Sequence, residues 1–304
     1  MRVFVIGGTG HIGVHLVPIL VKQGHEVVVG ARKNGLSGNP SFDGASFLAC
    51  DSTDVECLKE IEKKERFDVI VEFPGTVKNI WDVFKDSVSH IVACGSFWMY
   101  GKPKLVPTPE IPQERSFFDV YAIRYQQILD MIVDSNEHKA KFTAIMPPNI
   151  CGPGKTPLDT SGGRSIEVHK SNMRGETVYL PDGPEALITP CDAYDLAMLF
   201  ALAINNRENA AGQVFNGGTR YALTATQFVQ TMADIYGVKI PIAYVPWEEY
   251  KTKYNPSEGN WWHFYAHMCP DISKAEKLLG YTPKYTPEET LRRAVEWMKE
   301  HKLL

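Results

Sequence analysis

The stretch Val3-Phe4-Val5-Ile6-Gly7-Gly8-Thr9-Gly10-His11-Ile12-Gly13 constrains the fold more than any other part of the chain. A β-branched run leads straight into three glycines spaced three apart, and a helix-period pattern follows. In a turn of this kind the first glycine permits a tight bend. The second lets backbone approach a pyrophosphate, and the third lets the helix pack close to the strand. The helix N-terminus then offers free N–H groups and a positive dipole end to phosphate. The expectation is a dinucleotide site formed by Gly7, Thr9, Gly10, His11, Ile12 and Gly13, with a second strand at residues 26–30.

The same rhythm continues to about residue 150. Strand candidates fall at 2–6, 26–30, 45–50, 68–72, 90–94 and 142–146, and helix candidates at 11–23, 54–64, 78–86 and 118–136. Alternating strands and helices predict an α/β chain: a Rossmann-type, doubly wound parallel sheet with helices on both faces. Near-continuous apolar strands agree, because such strands are covered on both sides. After Gly152 the pattern changes to a Gly/Pro-rich loop at 153–163 and then shorter elements. Asp192 is placed to cap a helix over 192–205. Residues 255–270 read as irregular and aromatic, with helices expected at 272–279 and 287–301. The division expected is a dinucleotide-binding domain over 1–150, with returning segments at about 186–220. A smaller C-terminal α+β substrate lobe covers 151–185 and 221–304.

Composition narrows the function classes. Of 304 residues 44% are apolar and 22% charged, so wholesale disorder is excluded. The net charge of −4 lacks the basic excess of a general nucleic-acid binder. Six cysteines form no C-x-x-C pair and no zinc-like spacing, and several sit in apolar runs as small buried hydrophobes. No metal is expected. No run approaches the ~20 apolar residues of a membrane span, and a chain opening on a strand shows no leader. The expected setting is cytoplasmic. The expected partners are a small-molecule substrate and, beyond it, a second copy of the chain in a homodimer, with no nucleic acid and no membrane.

The end of the second strand bears on which dinucleotide is bound. An acidic residue there would hold the adenosine ribose. The chain instead reads Gly30-Ala31-Arg32-Lys33. Small residues leave room for a 2′-phosphate and Arg32 can grip it, which favours NADP(H) over NAD(H). Asp51 and Ser52 follow the third strand, where Asp51 can meet the adenine edge or cap the next helix. Pro74 and Gly75 follow the fourth strand, and Pro147 the sixth, at the edge where the cofactor crosses.

Several further motifs, in order, make the chain resemble the extended short-chain dehydrogenase/reductase superfamily, of the NAD-dependent epimerase/dehydratase kind. They are Ala93-Cys94-Gly95-Ser96-Phe97-Trp98-Met99-Tyr100-Gly101, Pro148-Asn149-Ile150-Cys151-Gly152-Pro153-Gly154, Ile188 to Asp192, Val214 to Gly218, and Asp271 to Pro283. The resemblance implies that Ser96 helps bind the reacting oxygen, that Tyr121 is the acid/base group, and that Asn149 contacts substrate. In that family the tyrosine opens a Tyr-x-x-x-Lys motif. Here Tyr121-Ala122-Ile123-Arg124-Tyr125 puts a tyrosine at the lysine position. Arg124, at i+3, either shares a face with Tyr121 or points to solvent. If only the lysine is missing, Tyr125→Lys is expected to raise the rate.

The resemblance therefore implies an NAD(P)-dependent epimerase, dehydratase or reductase acting on a hydroxyl or keto carbon of a sugar, nucleotide-sugar or similar small polar metabolite. The alternative from another class is an NADP(H)-binding sensor or scaffold without redox turnover. The missing lysine favours that alternative and the Ser96–Tyr121 spacing opposes it. The cluster Trp261, Trp262, His263, Tyr265 and His267 either stacks on a ligand or packs the lobe.

Overall fold

The protein is described by a computed structural model covering residues 1–36, 38–111 and 113–304, apart from the Glu258 side chain. The first half alternates as the sequence predicts. It runs β1 (Arg2–Ile6), α1 (Gly13–Lys22), β2 (Glu26–Ala31), β3 (Ala45–Ala49), α2 (Val55–Lys64), β4 (Val69–Glu72), α3 (Val77–Phe84), β5 (His90–Cys94), α4 (Asp119–Asp134) and β6 (Lys141–Met146). The second half adds β7 (Asn149–Cys151), α5 (Ile166–Met173), β8 (Val178–Pro181), β9 (Leu187–Ile188), β10 (Pro190–Asp192), α6 (Ala193–Asn205), α7 (Arg207–Ala210) and β11 (Gln213–Asn216). It closes with β12 (Leu223–Thr224), α8 (Ala225–Tyr236), β13 (Ile242–Val245), α9 (Trp247–Glu249), α10 (Glu258–Trp261), α11 (Ser273–Leu279) and α12 (Pro287–Glu300).

Seven parallel strands form the central sheet in the order β11-β6-β5-β4-β1-β2-β3. This is the doubly wound α/β architecture the alternation predicts. Side chains alternate across it with a period of two. Val3, Val5, Val27, Val29, Val69 and Val71 face one core with Leu16, Val17 and Phe200. Phe4, Ile6, Val28, Ile70 and Ile91 face the other with Leu58, Trp81 and Ile128. Both faces are dry, so the strands need no polar alternation. The register aligns Ile6 with Gly30 and with Glu72, and Cys94 with Ile145. All the strands therefore end at one edge, and the segments after β1, β2, β4, β5 and β6 leave the sheet side by side.

Asp192 caps α6 as expected, accepting the Tyr194 N–H at 2.9 Å, while its other oxygen accepts Arg293 Nε from α12 at 3.0 Å. Besides this two-sided core of the sheet, a second core, in the lobe, gathers Leu158, Leu180, Phe228, Met232, Phe264, Leu291 and Val295. It lies around the parallel pair β8–β13 and the helices α8 and α12. Two details differ from expectation. Asn149–Cys151, outside the expected strands, is a strand paired with β10. The aromatic stretch 255–270, read as irregular, contains two helical turns, Glu258–Trp261 and Trp262–Phe264. Among the described residues no helix is long and apolar enough to cross a membrane, and no His/Cys/Asp/Glu group is arranged to hold a metal ion.

Candidate active site at the carboxyl edge of the sheet

The glycine loop has the geometry its spacing implies. Gly7 N–H donates to Gly30 O at 2.8 Å and Gly10 N–H to Gly7 O at 2.9 Å, closing the bend. A Cβ on Gly13 would lie 2.2 Å from Gly8 O, a backbone atom with nowhere to go. Only glycine lets α1 start this close to the strand. Ile12 occupies the α1 N-cap and no side chain caps the helix. Val14 N–H donates to Gly10 O and His15 N–H to Ile12 O, which leaves the N–H groups of Ile12 and Gly13 to a ligand or solvent. Ile12 itself is 5% exposed and packs in the core, so it can meet a ligand only through its backbone.

Beside this loop a cavity of about 310 Å³ is lined by Gly7, Thr9, Arg32, Asp51, Ser52 and Pro74, all singled out from sequence, together with Thr76. The uncapped helix, the glycine cradle and this cavity fit an adenine dinucleotide. Two sequence arguments need correction here. Gly30 does not hold space open for a phosphate: a Cβ there would meet the Phe4 ring at 2.7 Å, so the glycine serves packing beneath the cavity. Asp51 does not cap α2. Asp54 does, accepting the Glu56 and Cys57 N–H groups. Asp51 instead accepts Thr53 N–H at 3.0 Å and Thr53 Oγ–H at 2.7 Å. Those bonds, with the nearby Arg32 charge, hold its carboxyl below the usual range.

His11 turns away from the loop. Its Nε2 meets Pro153 O at 3.0 Å, tying the glycine loop to the segment after β7. Burial lowers its pKa to about 4. Pro147 is buried, and its carbonyl accepts the Phe97 N–H at 3.0 Å, fixing the turn that carries Ser96. Ser96 caps that turn, its Oγ accepting the Trp98 N–H at 3.3 Å.

The break in the tyrosine motif resolves into a definite geometry. Tyr125, at the lysine position, packs edge-on against Tyr100 at 5.5 Å between ring centroids and lines an outer groove with Met99. Arg124 turns the other way. Its guanidinium lies over Gly75, where a Cβ would meet it at 2.7 Å, and its Nη2 donates to Cys94 O at 3.3 Å. Gly75, at φ +91°, is the residue that permits this approach. Arg124 therefore reaches the carboxyl edge between β4 and β5 from the helix that carries Tyr121, one turn away. Its Nε is buried without a partner.

Glu72, at the end of β4, was not foreseen. It is fully buried, and its Oε1 accepts the N–H groups of Gly75 and of Thr76, the latter at 2.7 Å. Burial pushes its carboxyl up, and those N–H groups and the Arg124 charge pull it back. Its Oε2 has no partner. A polar residue ending an otherwise apolar strand (Val69-Ile70-Val71-Glu72) was the available signal.

On the other side of Ser96, aromatic rings link the two cores. Tyr121 packs on Phe118 (5.9 Å), Phe118 on Trp98 (5.8 Å), and Trp98 on His263 (4.9 Å), all edge-on. His263 Nδ1 in turn faces Asn149 Nδ2 at 3.1 Å. The residues expected around a substrate thus lie along one continuous wall. His267 lies elsewhere, where its Nδ1 accepts the Leu187 N–H at 3.2 Å.

Fold and edge define a Rossmann-type α/β protein with a built-on lobe. Residues 3–87 match the model of the NAD dependent epimerase/dehydratase family. Over 99% of its length the chain is 25% identical to a UDP-glucose 4-epimerase of Lactobacillus helveticus, covering 98% of that protein. It is 24% identical over 95% of its length to the chloroplast stem-loop binding protein of 41 kDa b of Arabidopsis thaliana, covering 77% of it. The structure of UDP-glucose 4-epimerase from Bifidobacterium longum, in complex with NAD+ and UDP, superposes with a TM-score of 0.75 at 18% identity, covering 100% of this chain and 99% of that one. By these matches the chain resembles proteins of the NAD-dependent epimerase/dehydratase kind, within the extended short-chain dehydrogenase/reductase superfamily.

Proposed function

We propose that the chain is an NAD(P)-dependent epimerase/dehydratase-type enzyme acting on a hydroxyl-bearing carbon of a nucleotide-linked sugar. The substrate is chosen by the lobe over 151–185 and 221–304 and meets the cofactor-binding residues of 1–150 and about 186–220 at the sheet edge. The observation that carries the reading is Arg124: it brings a permanent positive charge to the carboxyl edge, one helical turn from Tyr121. The UDP-sugar epimerases among its relatives support the substrate class.

The dinucleotide would be held by the glycine loop, the α1 N-terminus and the cavity of Arg32, Asp51, Ser52 and Pro74, with Gly75 and Pro147 at the same sheet edge. When bound, its nicotinamide supplies reversible two-electron oxidation of a carbinol carbon. Ser96 Oγ orients the substrate oxygen, and Tyr121 takes the proton from that oxygen and returns it. A tyrosine ordinarily titrates near 10, so its phenolate needs a nearby cation. Arg124 fills that need. An arginine stays protonated and cannot pass the proton on to solvent, so slow turnover is expected. Asn149 holds the substrate from the opposite side.

The test is interconversion of UDP-glucose and UDP-galactose, read by product analysis because an epimerase returns its cofactor unchanged, by protein supplied in turn with NAD+ and NADP+. Tyr121→Phe is expected to abolish turnover and leave cofactor affinity within about twofold, since one hydroxyl far from the adenosine cavity is lost. Full activity in that variant would move the chemistry to other residues. No turnover of any nucleotide sugar would leave the non-redox binding role as the better reading.

Within this reading the preference is for NADP(H), because β2 ends without an acid and Arg32 borders the adenosine cavity. Arg32→Ala should lose about 1.5–3 kcal/mol of NADP(H) affinity, as for a hydrogen bond to a charged group, and change NAD(H) affinity little. Titration of both proteins with both cofactors measures this. Tighter NAD(H) binding by the wild type would reverse the preference.

A further inference from the structure

His263 lies outside every residue pattern that the resemblance carries, yet it is built into the site with unusual care. Its neighbour Phe264 is 4% exposed and packs in the second core, so the turn Trp262–Phe264 is anchored there. The segment leading into it is tied to the loop after β7, where Asn255 Nδ2 donates to Ser161 O at 2.7 Å. Asp159 fixes that loop by accepting the N–H groups of Ser161, Gly163 and Ser165. With Phe264 pointing into the core, His263 points out of it, across to Asn149 on β7 and the edge of Trp98.

The polar atoms at this crossing are only half used. Asn149 is 5% exposed and its Oδ1 is buried with no partner. Among the described residues, the only hydrogen bond of His263 is the one from Asn149. Burial beside the Arg164 charge lowers the His263 pKa to about 4, so the ring is neutral near pH 7. With Asn149 Nδ2 donating to Nδ1, a neutral ring carries its proton on Nε2. Asn149 Oδ1 is then a free acceptor and His263 Nε2–H a free donor, held in one unit across the two cores. An unpaired buried acceptor costs about 1–3 kcal/mol, so its persistence points to a ligand group that completes it.

We propose that His263 is a specificity-determining residue, which with Asn149 reads the hydroxyls of an uncharged sugar ring. Each hydroxyl of a sugar ring both donates and accepts, so one can give its proton to Oδ1 while another takes the Nε2–H. A carboxylate would face Oδ1 with no proton to give it, and an ammonium would face Nε2–H with no lone pair. The Trp98 ring beside them offers an apolar surface to the C–H face of the same sugar. The proposal rests on the nucleotide-sugar reading given above and adds to it the residue that recognises the sugar part.

Two measurements separate the proposal from that reading. The first compares UDP-glucose with UDP by calorimetric titration of the NAD+-loaded protein. The wild type is expected to prefer UDP-glucose. His263→Phe should reduce that preference about tenfold, the scale of one hydrogen bond of about 1.4 kcal/mol, and leave UDP affinity unchanged. His263→Gln, which keeps a donor and an acceptor, should restore part of the preference. A variant that is merely misfolded would lose UDP binding as well. The second measurement reads the His263 ring by long-range ¹H–¹⁵N spectra of the full chain. An Nε2–H tautomer that shifts on Asn149→Ala is expected. An unchanged UDP-glucose preference in both His263 variants overturns the proposal, as does an Nδ1–H tautomer. If neither UDP nor UDP-glucose binds the wild type, the nucleotide-sugar reading falls and takes the sugar assignment with it. The Asn149–His263 unit is then judged on the spectra alone.

Discussion

At position 125 the identity of one side chain decides whether a repair of the tyrosine motif is sensible. The sequence suggested that Tyr125→Lys would supply a missing cation. The structure argues otherwise, because that side chain faces Tyr100 and the outer groove rather than the carboxyl edge. Burial already pushes the Tyr125 phenol up to about 12. A lysine there would surrender an aromatic pair worth about 0.5–1.5 kcal/mol and place an ammonium against Tyr100 and Met99. Tyr125→Lys should therefore melt several degrees lower than the wild type and turn over no faster, read by a thermal scan beside the rate assay. A faster enzyme would mean that the helix rotates to bring residue 125 inward and that Arg124 is dispensable.

Strands β5 and β6 are held by more than their ladder. Thr143 Oγ1 donates to Ala210 O at 2.6 Å, so it accepts the Nε2–H of His90 at 2.9 Å. The chain of bonds runs from the start of β5 through β6 to the end of α7, wholly buried. Thr143→Val keeps the shape and leaves both the His90 N–H and the Ala210 carbonyl unpaired. A loss of about 1–3 kcal/mol follows for each buried group left without a partner, measurable by urea unfolding. A change below about 0.5 kcal/mol would show that water replaces the hydroxyl. Elements like these two strands are legible in sequence because a parallel strand covered on both faces must be a short β-branched run. The glycine loop is legible for a related reason, since backbone close to backbone admits one residue type. Glu72, Arg124 and His263 are different. Which of Arg124 and Tyr125 turns inward depends on Gly75, about fifty positions away, and on Tyr100. His263 acquires meaning only from Asn149, more than a hundred residues earlier. Helical periodicity brings such residues near a face and is silent about the partner waiting there.

Over the whole molecule, one buried and two half-buried histidines join parts that are distant in sequence. His11 ties the glycine loop to Pro153, His90 ties β5 to β6, and His263 ties the second core to Asn149. Burial lowers all three pKa values, to about 4, about 3 and about 4, against 6.5 for a free imidazole. The sign follows from proton counting. Between about pH 6.5 and 4 the unfolded chain binds protons that the native state refuses, so stability falls as pH falls. This contribution is fully present above 6.5 and is lost downward by at most about 1.4 kcal/mol per pH unit for each histidine. The raised carboxyls of Glu72, Glu110 and Asp195 act in the opposite sense, since the native state holds their protons longer as pH rises. A difference measurement removes them. His90→Gln keeps an N–H for Thr143 and has no proton to take up, while every carboxyl is common to both proteins. Urea unfolding of wild type and His90→Gln at intervals from pH 7 to pH 4.5 should give curves that converge on acidification, the wild type losing stability faster by roughly 1 kcal/mol per pH unit below 6. Parallel curves would mean that His90 takes up its proton in the folded sheet as readily as in the unfolded chain.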